Sequence, residues 1–357
     1  MRYDMKKIIA VFGTRPDAVK MCPLVLELKK RESLEVKVCL TGQHREMLDS
    51  VTDVFGVKAD YDLSVMGKAQ TLSDITTKII DGITPIFENE KPDLVLVHGD
   101  TATAFAAALA AFYLKIPVGH VEAGLRTHRI DSPYPEEFNR RAVSLISTLD
   151  FAPTEAAREN LVGEGKDPNR VFVTGNTVID ALNFTAKKAQ TDEKLLLLTA
   201  HRRENIGEPM RNIFSAVSEI ARKYPDFKIV YPVHPNPAVR NIAEEMLGGA
   251  ENIELCEPLD LHEFHLHLAR SIAVMTDSGG VQEEAAALGK PTLVLRDKTE
   301  RTEGGSLILV GTNKDDIVSA FDRLVTDKDY YESIKNAPNP FGDGKASERI
   351  ADIIERI

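Results

Sequence analysis

The sequence predicts an α/β protein made of two doubly wound domains, and three observations carry that prediction. Strand-like and helix-like segments alternate from Lys7 to Thr174, the pattern that folds into a parallel sheet with helices on both faces. The alternation then dissolves into a polar run at 187–194 and restarts at Leu195. The chain's 357 residues exceed one ordinary core and suit two domains of about 150 to 200 residues each.

Strands are expected at Lys7 to Phe12, Val36 to Leu40, Leu94 to His98, Pro117 to Val121, Leu149 to Ala152 and Val171 to Thr174. Each is short, apolar or β-branched, and closed by Gly, Pro or polar residues. Helices fit between them, at Pro16 to Lys30, His44 to Phe55, Thr71 to Glu90, Thr103 to Tyr113, Glu136 to Leu149 and Thr154 to Glu164. Pro16 suits a first helical turn, where a missing N–H costs nothing. After Thr174 the segment GNTVIDALN starts another helix. The second half offers strands at Leu195 to Thr199, Lys228 to Val233, Ile253 to Leu255, Ile272 to Thr276 and Pro291 to Leu295, with helices at Glu208 to Tyr224, Pro237 to Leu247, Leu261 to Ala269 and Gly280 to Leu288. The expected division is therefore a domain over 1–186, a linker over 187–194 and a domain over 195–340. The tail over 341–357 ends in an amphipathic helix whose home the sequence does not fix, with the N-terminal domain as a candidate.

Composition narrows the function. Hydrophobic residues at 43% and charged residues at 28% describe a globular protein. The net charge of −11 argues against a nucleic-acid surface, which needs a basic face. It leaves room for a small anion held by a few local cations. Cys22, Cys39 and Cys256 are scattered, without CxxC or metal-ligand spacing, as expected in a reducing cytosol. No apolar run approaches the roughly 20 residues that span a bilayer, and the run Ile8 to Phe12 leads into GTRPD, unlike a signal-peptide cleavage site. No membrane association is expected, and a cytoplasmic location is.

Four places combine residue types suited to chemistry. Gly13-Thr14-Arg15-Pro16-Asp17-Ala18-Val19-Lys20 is a glycine turn leading into a helix, a setting where amides and the positive helix end receive phosphate; an ordinary turn with solvated Arg15 and Lys20 is the plainer alternative. It is neither GxGxxG nor a Walker loop. Asp100 and Glu122 each follow an apolar strand, and in an open parallel sheet both strand ends line one crevice. Crowded like charges there raise a pKa toward the range useful for proton transfer. Glu136 and Arg140 share a helix face and can pair with each other.

The third place is His201-Arg202-Arg203-Glu204-Asn205 after one strand, with Val233-His234-Pro235 after the next. Three cations at a strand end can hold a diphosphate, arginine by its planar fork; the alternative is a surface turn. The fourth is Thr276-Asp277-Ser278-Gly279-Gly280, followed by Glu284 about one turn into a helix. Ser-Gly-Gly lets backbone amides approach a phosphate at the helix N-terminus, a role compatible with Ser278 as N-cap. Glu284 is placed to reach a ribose hydroxyl. His262, His265 and His267 share one helix without a further ligand pattern, so no metal site is expected.

Together GTRPDAVKMCPL, TGQHREML, VHGDTATAF, GHVEAGLRT, SPYPEEFNRR, VTGNTVIDAL, TAHRREN, YPVHPNP and TDSGGVQEEAAALGKPTLVLRDKTER closely resemble the non-hydrolysing UDP-N-acetylglucosamine 2-epimerases, nearly end to end. The resemblance implies two Rossmann-like domains in a glycosyltransferase-B arrangement, an active site in the interdomain cleft, and a homodimer. It implies interconversion of UDP-N-acetylglucosamine and UDP-N-acetylmannosamine without NAD or metal, in line with the missing GxGxxG. In the family, UDP is eliminated across C1 and C2 to give 2-acetamidoglucal, then adds back with a proton delivered to the other face.

Carried over residue by residue, the resemblance implies Asp100, Glu122 and Glu136 as proton-transfer carboxylates, without assigning faces. His201 joins them in catalysis, stabilising departing UDP with Arg15, Ser278, Gly279 and Gly280. Lys20 and Arg140 are supporting cations, and Glu284 contacts the ribose. Gln43, Glu46, Arg202 and His234 fall in motifs that bind a second UDP-N-acetylglucosamine as activator. Thr101-Ala102-Thr103-Ala104, EEAAALGKP, TERTEG and the His128 to Asp131 loop depart from common family forms. These departures bear on activator dependence and loop closure, and point toward archaeal or divergent members. A hydrolysing epimerase, a glycosyltransferase of the same fold and a nucleotide-sugar sensor are the competing readings.

Overall fold

The computed structural model describes residues 5–42, 45–65, 67, 70–186, 194–297 and 305–357, with the side chains of residues 45–47 and 203 outside that description. The expected linker at 187–194 therefore lies outside the described residues except for Lys194. The chain divides into two compact units, 1–181 with 342–357, and 182–341.

The first unit begins β1 (Lys6–Phe12), α1 (Arg15–Lys29), β2 (Leu34–Leu40), α2 (Arg45–Phe55), β3 (Tyr61–Asp62) and α3 (Leu72–Glu90). It continues β4 (Leu94–His98), α4 (Ala102–Tyr113), β5 (Val118–Val121), α5 (Glu136–Ile146), β6 (Leu149–Ala152), α6 (Glu155–Gly163) and β7 (Val171–Val173). Its seven strands form one sheet in the order β3-β2-β1-β4-β5-β6-β7, and every pairing is parallel. Strand β4 is buried along its whole length, which is why LVLVH reads as a continuous apolar run rather than an alternating one.

Helix starts follow local chemistry. Thr14 accepts from Asp17 N at the head of α1, Thr71 and Asp74 form a reciprocal capping box on α3, and Thr101 accepts from Ala104 N on α4. Each satisfies an amide that the helix itself leaves open.

Helix α7 (Thr177–Thr185) carries the chain from the first unit to the second, its last turn counted with the second. The reason is packing: Leu182 joins the apolar cluster of Leu197, Leu268 and Val274, and the Thr185 hydroxyl bonds His265 Nδ1.

The second unit runs β8 (Leu195–Thr199), α8 (Glu208–Lys223), β9 (Lys228–Pro232), α9 (Pro237–Leu247), β10 (Ile253–Cys256), α10 (Leu261–Arg270), β11 (Ala273–Thr276), α11 (Gly279–Ala287) and β12 (Thr292–Val294). It closes with β13 (Leu307–Leu309), α12 (Lys314–Thr326) and α13 (Lys328–Lys335). Its sheet, β10-β9-β8-β11-β12-β13, is again wholly parallel. Its core gathers Leu196, Leu198, Phe214, Val217, Tyr231, Met275, Leu293 and Phe321. At about 1.5 to 3 kcal/mol for each large side chain removed from water, such a cluster dominates the unit's stability.

The C-terminal helix α14 (Ala346–Arg356) belongs to the first unit. Arg31 pairs with Asp352 at 2.9 Å and with Glu355 at 3.4 Å, and Asp180 accepts the amides of Ala346 and Ser347 at 3.2 and 2.9 Å.

Candidate active site

Both sheets reverse strand order once, between β1 and β4 in the first unit and between β8 and β11 in the second. Open α/β sheets bind ligands at such switch points, outside the carboxyl ends of the strands. All four places singled out in the sequence stand there or on the adjoining strand.

At the first switch point, β1 delivers Gly13 and α1, while β4 delivers His98, Gly99 and Asp100. Gly13 has a structural reason of its own: a Cβ would lie 1.8 Å from Thr41 Oγ1 and 2.7 Å from Thr103 Oγ1. Only glycine lets this turn pass the hydrogen-bonded pair of threonines, 2.8 Å apart. The glycine alone therefore does not mark a phosphate site.

Asp100 is 26% exposed and bonded to Arg140, whose Nε donates to Oδ2 at 3.0 Å with Nη2 on the same oxygen. Asn139 Nδ2 donates to the Asp100 carbonyl at 2.9 Å. Arg140 also reaches Glu137 at 3.4 Å, so the helix-face reading of Arg140 with Glu136 omits two further carboxylates it serves. Glu137 is fully buried and accepts from Thr127 N at 3.1 Å.

Glu122 follows β5 on the neighbouring strand. Its φ is +61°, a left-handed conformation costing a non-glycine residue about 1 kcal/mol or more. Its side chain is 9% exposed, paired with Lys20 Nζ and accepting from Asn176 Nδ2 at 2.6 Å. Asp100 and Glu122 are therefore not the crowded, bare like charges expected from their strand ends, because each has its own cation. Two strand residues earlier, buried His120 bonds the Gly99 carbonyl through Nε2 at 2.7 Å, and burial holds its pKa down at about 4. Glu136 opens α5 half-buried, and Arg15 is the first residue of α1.

At the second switch point the organiser is Asp277, whose role the sequence alone did not reveal. Fully buried, its Oδ2 accepts the amides of His201 and Arg202, both at 2.9 Å, and Asn205 Nδ2 at 3.0 Å. Arg202 Nε donates to the Asp277 carbonyl at 2.9 Å. One carboxylate between β8 and β11 thus fixes the loop that presents His201. The His201 ring, 40% exposed, stacks on His234 with centroids 5.3 Å apart and planes 6° apart. His234 Nδ1 accepts from Asn236 N at 3.1 Å, and burial, then His201, keeps its pKa low.

Ser278 is the N-cap of α11 without a side-chain cap bond, so plain capping does not account for its hydroxyl. Gly279 and Gly280 begin the helix, and a methyl on Gly280 would meet no described atom within 4 Å. Glu284, mostly buried, lies 3.6 Å from His265 Nε2. His262, His265 and His267 do not converge: His265 turns inward to Thr185 and His267 Nδ1 bonds the Glu263 carbonyl at 2.9 Å. Gln43, the Glu46 side chain and the TERTEG segment lie outside the described residues.

A family model described as UDP-N-acetylglucosamine 2-epimerase matches residues 26–355. The UDP-N-acetylglucosamine 2-epimerase of Bacillus subtilis (strain 168) is 51% identical over 357 residues, covering 97% of this chain and 94% of that protein. The chain belongs to the UDP-N-acetylglucosamine 2-epimerase family. The crystal structure of the Neisseria meningitidis UDP-GlcNAc 2-epimerase bound to UDP-GlcNAc matches with a TM-score of 0.95 at 48% identity, over 98% of this chain and 100% of that one. The Methanocaldococcus jannaschii UDP-GlcNAc 2-epimerase, in complex with UDP-GlcNAc and UDP, matches with a TM-score of 0.84 at 35% identity, over 98% and 100%. Of these three the bacterial proteins are the more similar, although the motif departures pointed toward archaeal or divergent epimerases.

Proposed function

We propose that this protein interconverts UDP-N-acetylglucosamine and UDP-N-acetylmannosamine without releasing free sugar. The observation that carries this reading is identity of 48 to 51% with bacterial epimerases across 97 to 98% of the chain, with the carboxylate motifs and the Ser-Gly-Gly turn intact. The C2 hydrogen of the sugar has no adjacent carbonyl to acidify it. A base takes it while the C1–O bond breaks and its electron pair leaves with UDP, giving 2-acetamidoglucal. UDP then adds back at C1 as an acid delivers a proton to the opposite face of C2.

Asp100, Glu122 and Glu136 are assigned to those proton transfers. His201, Arg15 and the amides of the Ser278 to Gly280 turn stabilise the growing charge on UDP, with Lys20 and Arg140 holding the carboxylates in place. Glu284 receives the ribose. Gln43, Glu46, Arg202 and His234 are assigned to a second substrate molecule acting as activator. The enzyme needs neither NAD nor metal, in keeping with the missing GxGxxG, and works as a cytoplasmic homodimer.

The test is product analysis with UDP-N-acetylglucosamine as the only ligand. A nucleotide-linked mannosamine product supports the reading. Free N-acetylmannosamine with UDP overturns it in favour of hydrolysis, and binding without turnover overturns it in favour of a sensor.

A further inference from the structure

A reaction with separate proton-transfer groups on the two faces of C2 leaves the enzyme changed even though the substrate gains and loses one proton each. The base ends protonated and the acid ends ionised, so a proton must leave one and reach the other before the next turnover. Asp100, 26% exposed, can exchange with water. Glu122, 9% exposed, needs a partner.

Among the side chains that face Glu122 Oε2 are Lys20, Asn176 and His98. The Lys20 ammonium and the Asn176 amide nitrogen only donate, and Asn176 Oδ1 is taken by the Val178 amide at 3.1 Å. His98 differs. Its ring is 4% exposed, and Nδ1 lies 3.3 Å from Asp17 Oδ1. An ionised carboxylate accepts only, so Nδ1 carries the hydrogen and Nε2 the lone pair. Nε2 is buried, has no hydrogen-bond partner among the described residues and faces Glu122 Oε2 at 3.8 Å. A shift of roughly 1 Å brings the two within hydrogen-bond range. Asp17 is itself held, accepting from Thr101 Oγ1 at 3.4 Å. His120 also acts on His98, and its low pKa keeps it neutral.

We propose that Asp17 and His98 form a buried proton store for Glu122, joining the GTRPD, VHGD and VEAG motifs into one device. The carboxylic acid formed on Glu122 gives its proton to His98 Nε2, the imidazolium is stabilised by Asp17 on Nδ1, and the Glu122 carboxylate is restored beside Lys20; once the sugar has left, the imidazolium gives that proton up to entering water and is ready for the next turnover. The reverse transfer reloads Glu122 as an acid. His98 acts through Glu122 and does not touch the sugar. This proposal rests on the reading of Glu122 as a proton-transfer group.

The test uses UDP-N-acetylglucosamine and UDP-N-acetylmannosamine, each deuterated at C2, and follows loss of label from unreacted substrate relative to epimerisation. His98→Asn keeps a donor toward Asp17 and removes the basic nitrogen. It is expected to lower kcat about tenfold or more, with KM little changed. For the epimer whose C2 hydrogen goes to Glu122, the ratio of label loss to epimerisation is expected to fall severalfold, because the deuteron stays on Glu122 and returns. General damage to the fold slows both processes and leaves their ratio alone. Should His98→Asn fail to fold, Asp17→Asn serves instead, since it leaves the imidazole and removes its anchor; the same fall is expected. An unchanged ratio for both epimers in a folded variant overturns the proposal. Glu122→Gln separates the two failures: if it still turns over, the reading of Glu122 itself is wrong, whereas an inactive Glu122→Gln with an unchanged ratio in His98→Asn rejects the store alone.

Discussion

Lys20 and Glu122, 102 residues apart, form a buried ion pair that ties α1 to the end of β5. Removing one partner of such a pair leaves an uncompensated charge, a loss of about 3 to 5 kcal/mol. Lys20→Met is therefore expected to lower the thermal midpoint by about 6 to 12 °C. Adding Glu122→Gln should recover most of that stability while turnover stays abolished. A single-variant midpoint within about 2 °C of the parent would show that the pair is not buried in solution.

Gly280 separates ligand binding from stability. A methyl there meets no described atom within 4 Å, and alanine favours helix over glycine by up to about 1 kcal/mol. Gly280→Ala should therefore hold or slightly raise the thermal midpoint. If UDP oxygens lie against the turn's amides, the same methyl weakens UDP binding by about tenfold or more, roughly the 1.4 kcal/mol that one lost contact represents. Calorimetric titration with UDP checks this, and undiminished affinity would remove the phosphate role of the turn.

His120 sets a pH dependence whose sign is fixed by its burial. Its folded pKa, about 4, is below the ordinary histidine value of 6.5. The unfolded chain thus binds more protons between these values, and folding stability rises with pH across that window. The contribution is complete above about pH 6.5 and is lost as pH falls toward 4. Urea unfolding from pH 7 to 4 should show a decline that flattens in His120→Asn. An equal slope in both proteins would contradict it.

Long, strongly patterned elements were legible in the sequence, because strands buried on both faces read as apolar runs and helices between them carry their own caps. The gaps have physical causes. Strand β3 holds only two residues, too few for any periodicity to register. The amphipathic helices α12 and α13 follow a polar stretch that hid the continuation of the alternation. The site divided in the same way. Motifs picked out Asp100, Glu122, His201, His234 and the Ser-Gly-Gly turn as candidates, since each follows a strand end within two residues. They did not expose which cation serves which carboxylate, because Arg140 meets Asp100 across 40 residues and Lys20 meets Glu122 across 102. Asp277 was visible but not interpretable: its work is to hold backbone amides, and only the fold brings the His201 loop to it.

The most direct test of the central claim is proton NMR at C2 after incubation with UDP-N-acetylglucosamine as sole ligand in heavy water. Elimination and re-addition predict a UDP-linked mannosamine-configured product carrying deuterium at C2. Absence of both that product and C2 deuterium would contradict the account.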